Sequence, residues 1–292
     1  MTSRAANFSL PSMNLSSILL AIGLVAIIVP TMMFVSQESW SQETGAHGPI
    51  VLFTGLWLLR RRWLVAKPDM EPAPTLPVVL LATICLPLFL FARVTQIVEI
   101  EGYLMYSLVL IALYSLVGMK AMKLMWFPLF YMLFVFPPPD TLIALITQPL
   151  KILISQAAIG FLHALGYPIG GAGVMIQIGQ YQLLVAAACS GLNSLVSLSA
   201  ISLFYIYVRH QADWRYAVLL STMIIPVAII ANFIRVLILI LLTYHSGEAA
   251  AQGFMHNFAG ITMFMIAVLT IFAIDSVLEP IWRRFQNKGV AA

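Results

Sequence analysis

Ile229-Ile230-Ala231-Asn232-Phe233-Ile234-Arg235-Val236-Leu237-Ile238 is an apolar run broken by one amide and one guanidinium. It lies inside a stretch, about 216–243, long enough to cross a bilayer, which takes about 20 apolar residues as helix. The helix continues for about eight residues past Arg235. At ~1.5 Å per residue the Arg235 Cα is then roughly 12 Å from the helix end, too deep for an ordinary interfacial arginine. An ionisable side chain at that depth is costly and functional by default. Asn232 is three residues earlier and shares the Arg235 face, so a polar strip facing the bundle interior is implied.

The rest of the chain has the same character. Of 292 residues, 61% are apolar and 9% charged, with a mean hydropathy of +0.97. Soluble domains carry about 25% charged residues, so this composition defines an all-α polytopic membrane protein. We place eight spans, at about 17–35, 48–65, 76–92, 103–119, 122–137, 190–208, 216–243 and 255–277. The second is interrupted by Arg60, Arg61 and Arg62. The N-terminal apolar run has no small-x-small cleavage site after it and reads as an uncleaved first span. The two cysteines, Cys85 and Cys189, make neither a disulfide framework nor a zinc pattern. Residues 1–292 read as a single integral membrane domain with its core at about 17–280.

Charge orients the spans. With the N-terminus inside, the inner segments hold Arg4, Arg60, Arg61, Arg62, Lys67, Lys120, Lys123, Arg209, Arg215, Arg283, Arg284 and Lys288. The outer segments hold Arg93 and Lys151, and Arg235 is intramembrane. This is a strong positive-inside signature, and it makes both chain ends cytoplasmic. The +4 net charge therefore orients the chain, and no nucleic-acid partner is expected.

The long outer segment, 138–189, begins where Pro137-Pro138-Pro139 stops the fifth helix. Residues 141–166 mix apolar side chains with Thr141, Gln148, Lys151, Ser155 and Gln156, which suits an amphipathic helix lying on the outer surface or a ninth span; the charge distribution, which a ninth span would spoil, favours the surface helix. A loop with Gly166, Pro168, Gly170, Gly171 and Gly173 follows. Val174–Ile178 and Tyr181–Val185 then flank Gly179-Gln180, the signal of a short type II′ hairpin just before helix six.

That hairpin leads into Cys189-Ser190-Gly191-Leu192-Asn193. A cysteine at a helix N-terminus feels the positive end of the helix dipole, which favours thiolate. Ser190 and Gly191 leave its approach uncrowded. Cys85, inside Leu81–Leu86, reads instead as a buried small apolar residue. His256 opens the eighth helix on the outer side, and His245 near the end of the seventh is the rival base. His210 falls on the inner side. His47 and His163 have no polar neighbours in sequence to single them out. If helices six, seven and eight meet, a thiol, a guanidinium and an imidazole gather at one membrane face. That set suits cysteine acyl transfer: the imidazole moves the proton and Arg235 steadies the oxyanion.

Ala188-Cys189-Ser190-Gly191-Leu192, Asn232-x-x-Arg235, and His256 with Gly260 together resemble the exosortase/archaeosortase family of membrane transpeptidases. The resemblance runs over about 20–280 and implies catalytic roles for Cys189, Arg235 and His256, with Asn232, Ser190 and Gly191 in support. Many members have an acidic residue two before the cysteine, where this chain has Ala187. The resemblance implies substrates that are membrane-anchored proteins with a C-terminal sorting signal: a Pro-Glu-Pro-type motif, a membrane helix and a basic tail. It also implies a Gram-negative inner membrane, a periplasmic active site and a link to exopolysaccharide export; the sequence indicates no cofactor.

Two other classes compete. A transporter or polysaccharide-export component would use Arg235 to bind an anionic group and would not need Cys189. A structural subunit would pair Arg235 with a partner carboxylate. No His-Glu-x-x-His run supports a metalloprotease, and no Gly-x-Ser-x-Gly motif supports Ser190 or Ser194 as nucleophile.

Overall fold

A computed structural model describes residues 15–41, 45, 47–184, 194–210, 214–249 and 260–290. Helix dominates, as it must where lipid offers backbone groups no partner. In chain order the helices are α1 (Leu15–Glu38), α2 (Gly48–Ala66), α3 (Thr75–Thr95), α4 (Val98–Leu124), α5 (Trp126–Tyr131) and α6 (Asp140–Ala164). Strands β1 (Ile169–Ala172), β2 (Met175–Ile178) and β3 (Tyr181–Leu184) follow. Then come α7 (Ser194–Arg209), α8 (Trp214–Ser246) and α9 (Gly260–Val290).

Six helices, α1, α3, α4, α6, α8 and α9, are long and apolar enough to cross a membrane, so the count of eight is not recovered by length and composition. Helix α2 carries three consecutive arginines in its second half. Helix α5 continues into a 3-10 turn, Met132–Val135, and the two together are short, as is α7. Helix α6, expected on the surface, is among the six. Its polar residues are too few to offset its apolar ones, and Ser155 Oγ satisfies itself on the Lys151 carbonyl at 2.9 Å.

The chain divides into two compact units. The first comprises 1–38 and 60–126. Here α3 and α4 form a hairpin turned at Gln96, which takes the left-handed conformation (φ 55°). Glu101 is fully buried in α4, and its Oε1 accepts from Thr31 Oγ1 of α1 (2.7 Å) and an Arg93 guanidinium N–H of α3 (2.8 Å). One carboxylate therefore ties three helices. Helix α4 breaks at Gly118 (φ 72°), where residues 71–73 run alongside and Glu71 N–H donates to the Val117 carbonyl at 3.2 Å. Cys85 is buried, as expected for a small apolar filler.

The second unit comprises 39–59 and 127–292. The segment 127–135 runs alongside α7 in the opposite direction. Phe127 stacks on Tyr207 (3.6 Å between centroids), and Tyr131 meets Phe204 (6.0 Å). Helices α7, α8 and α9 pack on one another through Leu198, Tyr216, Leu220, Ile224 and Ile271.

The expected hairpin is present. Strands β2 and β3 pair antiparallel, Ile178 opposite Tyr181, around Gly179-Gln180, with φ +56° at Gly179 as a type II′ turn requires. The stretch read as loop holds a third strand. Strand β1 pairs with β2 around Gly173-Val174, a second two-residue turn opened by a glycine of positive φ (+61°). Gly170 and Gly171 hide it, because they lack β-type side chains. They suit it structurally, since a Cβ at Gly171 would run into the Met175 carbonyl and come within 3.2 Å of Ile159 on α6. The sheet's inner face, Ile169, Ile176 and Ile178, forms one core with Ile154, Ala158 and Leu162 of α6 and Val236 and Ile240 of α8.

Candidate functional site

Helix α8 carries the polar strip. Arg235 and Asn232 are 3% and 4% exposed, so both are as buried as the apolar core beside them. Val236, next to Arg235, sits in the core shared with the sheet, and Phe233 meets Phe161 of α6 edge-on at 6.2 Å. From Arg235 the helix runs eleven more residues to Ser246, roughly 16 Å at 1.5 Å per residue. The guanidinium is thus embedded in protein, engaged with its neighbours, and held by packing on two sides. Such a fixed cation in an apolar surrounding acts far more strongly on a nearby developing anion than one in water.

Cys189, Ser190, Gly191 and His256 lie outside the described residues. The elements around them are placed. Strand β3 ends at Leu184, five residues before Cys189, and α7 starts at Ser194, five residues after it. His256 falls between the end of α8 at Ser246 and the start of α9 at Gly260. The segments bearing thiol and imidazole therefore both connect to the three helices that pack together in the second unit. The rival base, His245, is exposed in the last turn of α8, beside Tyr244 (5.0 Å) and Tyr167 (6.1 Å).

Two polar centres escaped the sequence reading. His47, just before α2, is buried, and its Nδ1 lies 2.8 Å from Ser197 Oγ in the first turn of α7. Burial pushes its pKa below the ordinary imidazole value, and a hydrogen bond that the imidazole donates to the Phe134 backbone opposes this in part. Its partner is 150 residues away, so no local signal existed. Trp40 Nε1 fixes the same turn by donating to the Val135 carbonyl at 3.2 Å.

The other centre is Asp275 of α9, 1% exposed. It accepts from Tyr205 OH (2.6 Å), Tyr216 OH (2.8 Å) and His210 Nε2 (2.9 Å), with Arg209 Nε at 3.3 Å. A lone aspartate within Phe272–Val277 is a sequence signal of the same kind as Arg235. His210, Asp275 and Glu279 offer ligand atoms within 4.8 Å of one another, a spacing that suits a cation. Those atoms already hold one another and Arg209, so the geometry is that of a closed ion-pair network joining α7, α8 and α9.

Fold and site thus define a multi-pass α-helical membrane protein with a buried arginine inside one helix and an uncharged three-stranded sheet packed against it. The family described as transmembrane exosortase (Exosortase_EpsH) matches residues 39–273 of the chain, and the protein belongs to that family. No curated protein and no solved structure shows significant similarity to the chain.

Proposed function

We propose that the protein is a membrane cysteine peptidase or transpeptidase acting on proteins with a C-terminal sorting signal. The observation that carries the reading is Arg235, a buried guanidinium on α8 within the span of the family match. In this scheme the substrate's membrane helix docks in the bilayer with its cleavage site at the periplasmic face of a Gram-negative inner membrane, and both chain ends are cytoplasmic. Cys189 thiolate attacks the scissile carbonyl, and His256 holds the thiol proton. Arg235 faces the oxyanion, with Asn232 beside it on the same helix face, and Ser190 and Gly191 keep the nucleophile accessible. The C–N bond breaks as His256 gives its proton to the leaving amine, which departs with the membrane tail. A thioester remains on Cys189.

An acceptor then attacks the thioester and restores the thiol. Water gives a shortened protein; an amine or hydroxyl on a cell-surface molecule gives a conjugate. The resemblance favours export and exopolysaccharide assembly as the setting. Hydroxylamine present during processing intercepts a thioester as a hydroxamate on the substrate's new C-terminus, which mass spectrometry reads directly. Normal processing with no hydroxamate contradicts the covalent route. Replacing His256 and His245 singly by Ala separates the two candidate bases: the scheme expects loss of processing in His256→Ala and its retention in His245→Ala.

A further inference from the structure

The sheet has two edge strands, β1 beside α6 and β3 beside α8. Its order is β1-β2-β3, and β3 lies along α8, with the Gly179 turn against Tyr244. Strand β1, Ile169-Gly170-Gly171-Ala172, pairs with β2 and with no other strand among the described residues. Proteins usually block such an edge with charge or proline, because it is a template for another strand. Here the strand carries neither, and no Asp, Glu, Lys or Arg occurs anywhere between Lys151 and Arg209.

Against this edge is a cleft of about 370 Å³, lined by His163 and Tyr167 at the end of α6, Pro168, Gly170, and Gln177 of β2. Gly170 and Gln177 are cross-strand partners and so lie on the same face of the sheet. A Cβ at Gly170 would meet no atom within 4 Å, so the space directly above it is open. The cleft therefore offers backbone groups, a carboxamide, an imidazole and a phenol to whatever enters, the mixture that suits amide groups. Its floor is rigid, because the opposite face of the sheet is packed on α6 and on Val236 and Ile240 of α8, beside Arg235.

We propose that this cleft binds the extended peptide segment of the substrate, which adds to the free edge of β1 as a further strand. Backbone pairing supplies affinity in this mode of recognition, and pockets for alternate side chains supply selectivity. The inference rests on the reading of Cys189 as nucleophile. Strand β3 leaves the sheet five residues before that cysteine, and five extended residues reach at most about 18 Å. A peptide on β1 lies about 10–15 Å further across the sheet from β3, on the body that carries the arginine.

The glycine gives a direct test. Gly170→Leu places a bulky side chain in the cleft at a position where its Cβ meets no neighbour, and Gly160→Leu on α6, where a Cβ also meets nothing within 4 Å, is the control. Both are made in the full chain, in membranes, with a co-expressed tagged protein bearing a C-terminal sorting signal as substrate. The expected result is an increase in KM of about tenfold or more for Gly170→Leu with kcat unchanged, the mark of lost ground-state binding, and no change for Gly160→Leu. A wild-type KM in Gly170→Leu overturns the proposal. A photo-crosslinking residue at position 177 in the Cys189→Ala background needs neither turnover nor the glycine variant. Capture of the tagged substrate there supports docking even if Cys189 proves not to be the nucleophile; capture of lipid alone contradicts it.

Discussion

Arg235 is the side chain whose burial most needs a reason. A guanidinium 3% exposed in an apolar helix costs several kcal/mol unless its surroundings compensate, and a hydrophobic residue would fit the core at less cost. We expect Arg235→Lys to lower the processing rate by about 10²–10³, the range for losing one oxyanion donor, because an ammonium cannot reproduce the planar fork. Protein levels in membranes should stay near wild type; a Lys variant with full activity would remove Arg235 from the chemistry. His47 makes a different kind of statement. Burial lowers its folded pKa, so its contribution to stability is complete above the ordinary value of 6.5. That contribution is lost as pH falls through the folded value, since the unfolded chain takes up the proton first. Thermal unfolding of the purified protein should show an acid limb below pH 6.5 that His47→Gln flattens. An unchanged limb in the variant would assign acid sensitivity to other groups. At neutral pH, Ser197→Ala should cost about 1–3 kcal/mol, because it removes the hydroxyl partner of the buried imidazole Nδ1.

At the scale of elements, glycines separate what the chain tolerates from what it cannot. Gly118 sits at φ 72° in the break of α4, and a Cβ there would run into the Glu71 carbonyl. Gly118→Ala should destabilise by about 1–3 kcal/mol, read as a lower unfolding midpoint in detergent. Gly23→Ala in α1, where a Cβ meets nothing, should be neutral or slightly stabilising. Equal midpoints for the two variants would contradict the kink. The same logic explains what was legible in sequence. Helices announce themselves by length and hydropathy, and the β2–β3 hairpin by Gly179-Gln180 between β-type runs. Strand β1 was hidden, although Gly173-Val174 repeats the turn signal, because Gly170-Gly171-Ala172 has no side chains to show a period. Arg235 and Asn232 were legible because a polar residue in an apolar run is conspicuous. Asp275 gives the same kind of signal, one carboxylate in an apolar run. His47 was not legible at all, since its partner is made only by the fold.

For the whole molecule, the contacts at the two ends of α6 bear on how it meets the membrane. Its composition suits a crossing, and its two ends are held by contacts within the second unit. Just before α6, Val135 accepts from Trp40, and Phe134 hydrogen-bonds His47, in the turn that precedes α2. Just after it, Tyr167 packs on Tyr244 and His245 at the end of α8. Helix α7 begins beside His47 and α8 returns from its far end, so the start of α7 and the end of α8 share a side. From these contacts we expect both ends of α6 to face one side of the membrane. Sandwich fusions of a reporter active only in the periplasm should be active at both 138 and 166 and inactive at 212. Activity at 166 without activity at 138 would show that α6 crosses.

The central claim is cysteine chemistry at a membrane face, and one comparison tests it most directly. A tagged membrane protein with a C-terminal sorting signal, from the same genome, is co-expressed with the wild-type chain and with Cys189→Ala at matched levels, and its mobility and new C-terminus are read by gel and mass spectrometry. The account expects a shortened or conjugated product with the wild type and only the intact precursor with Cys189→Ala. The same product from both would contradict it.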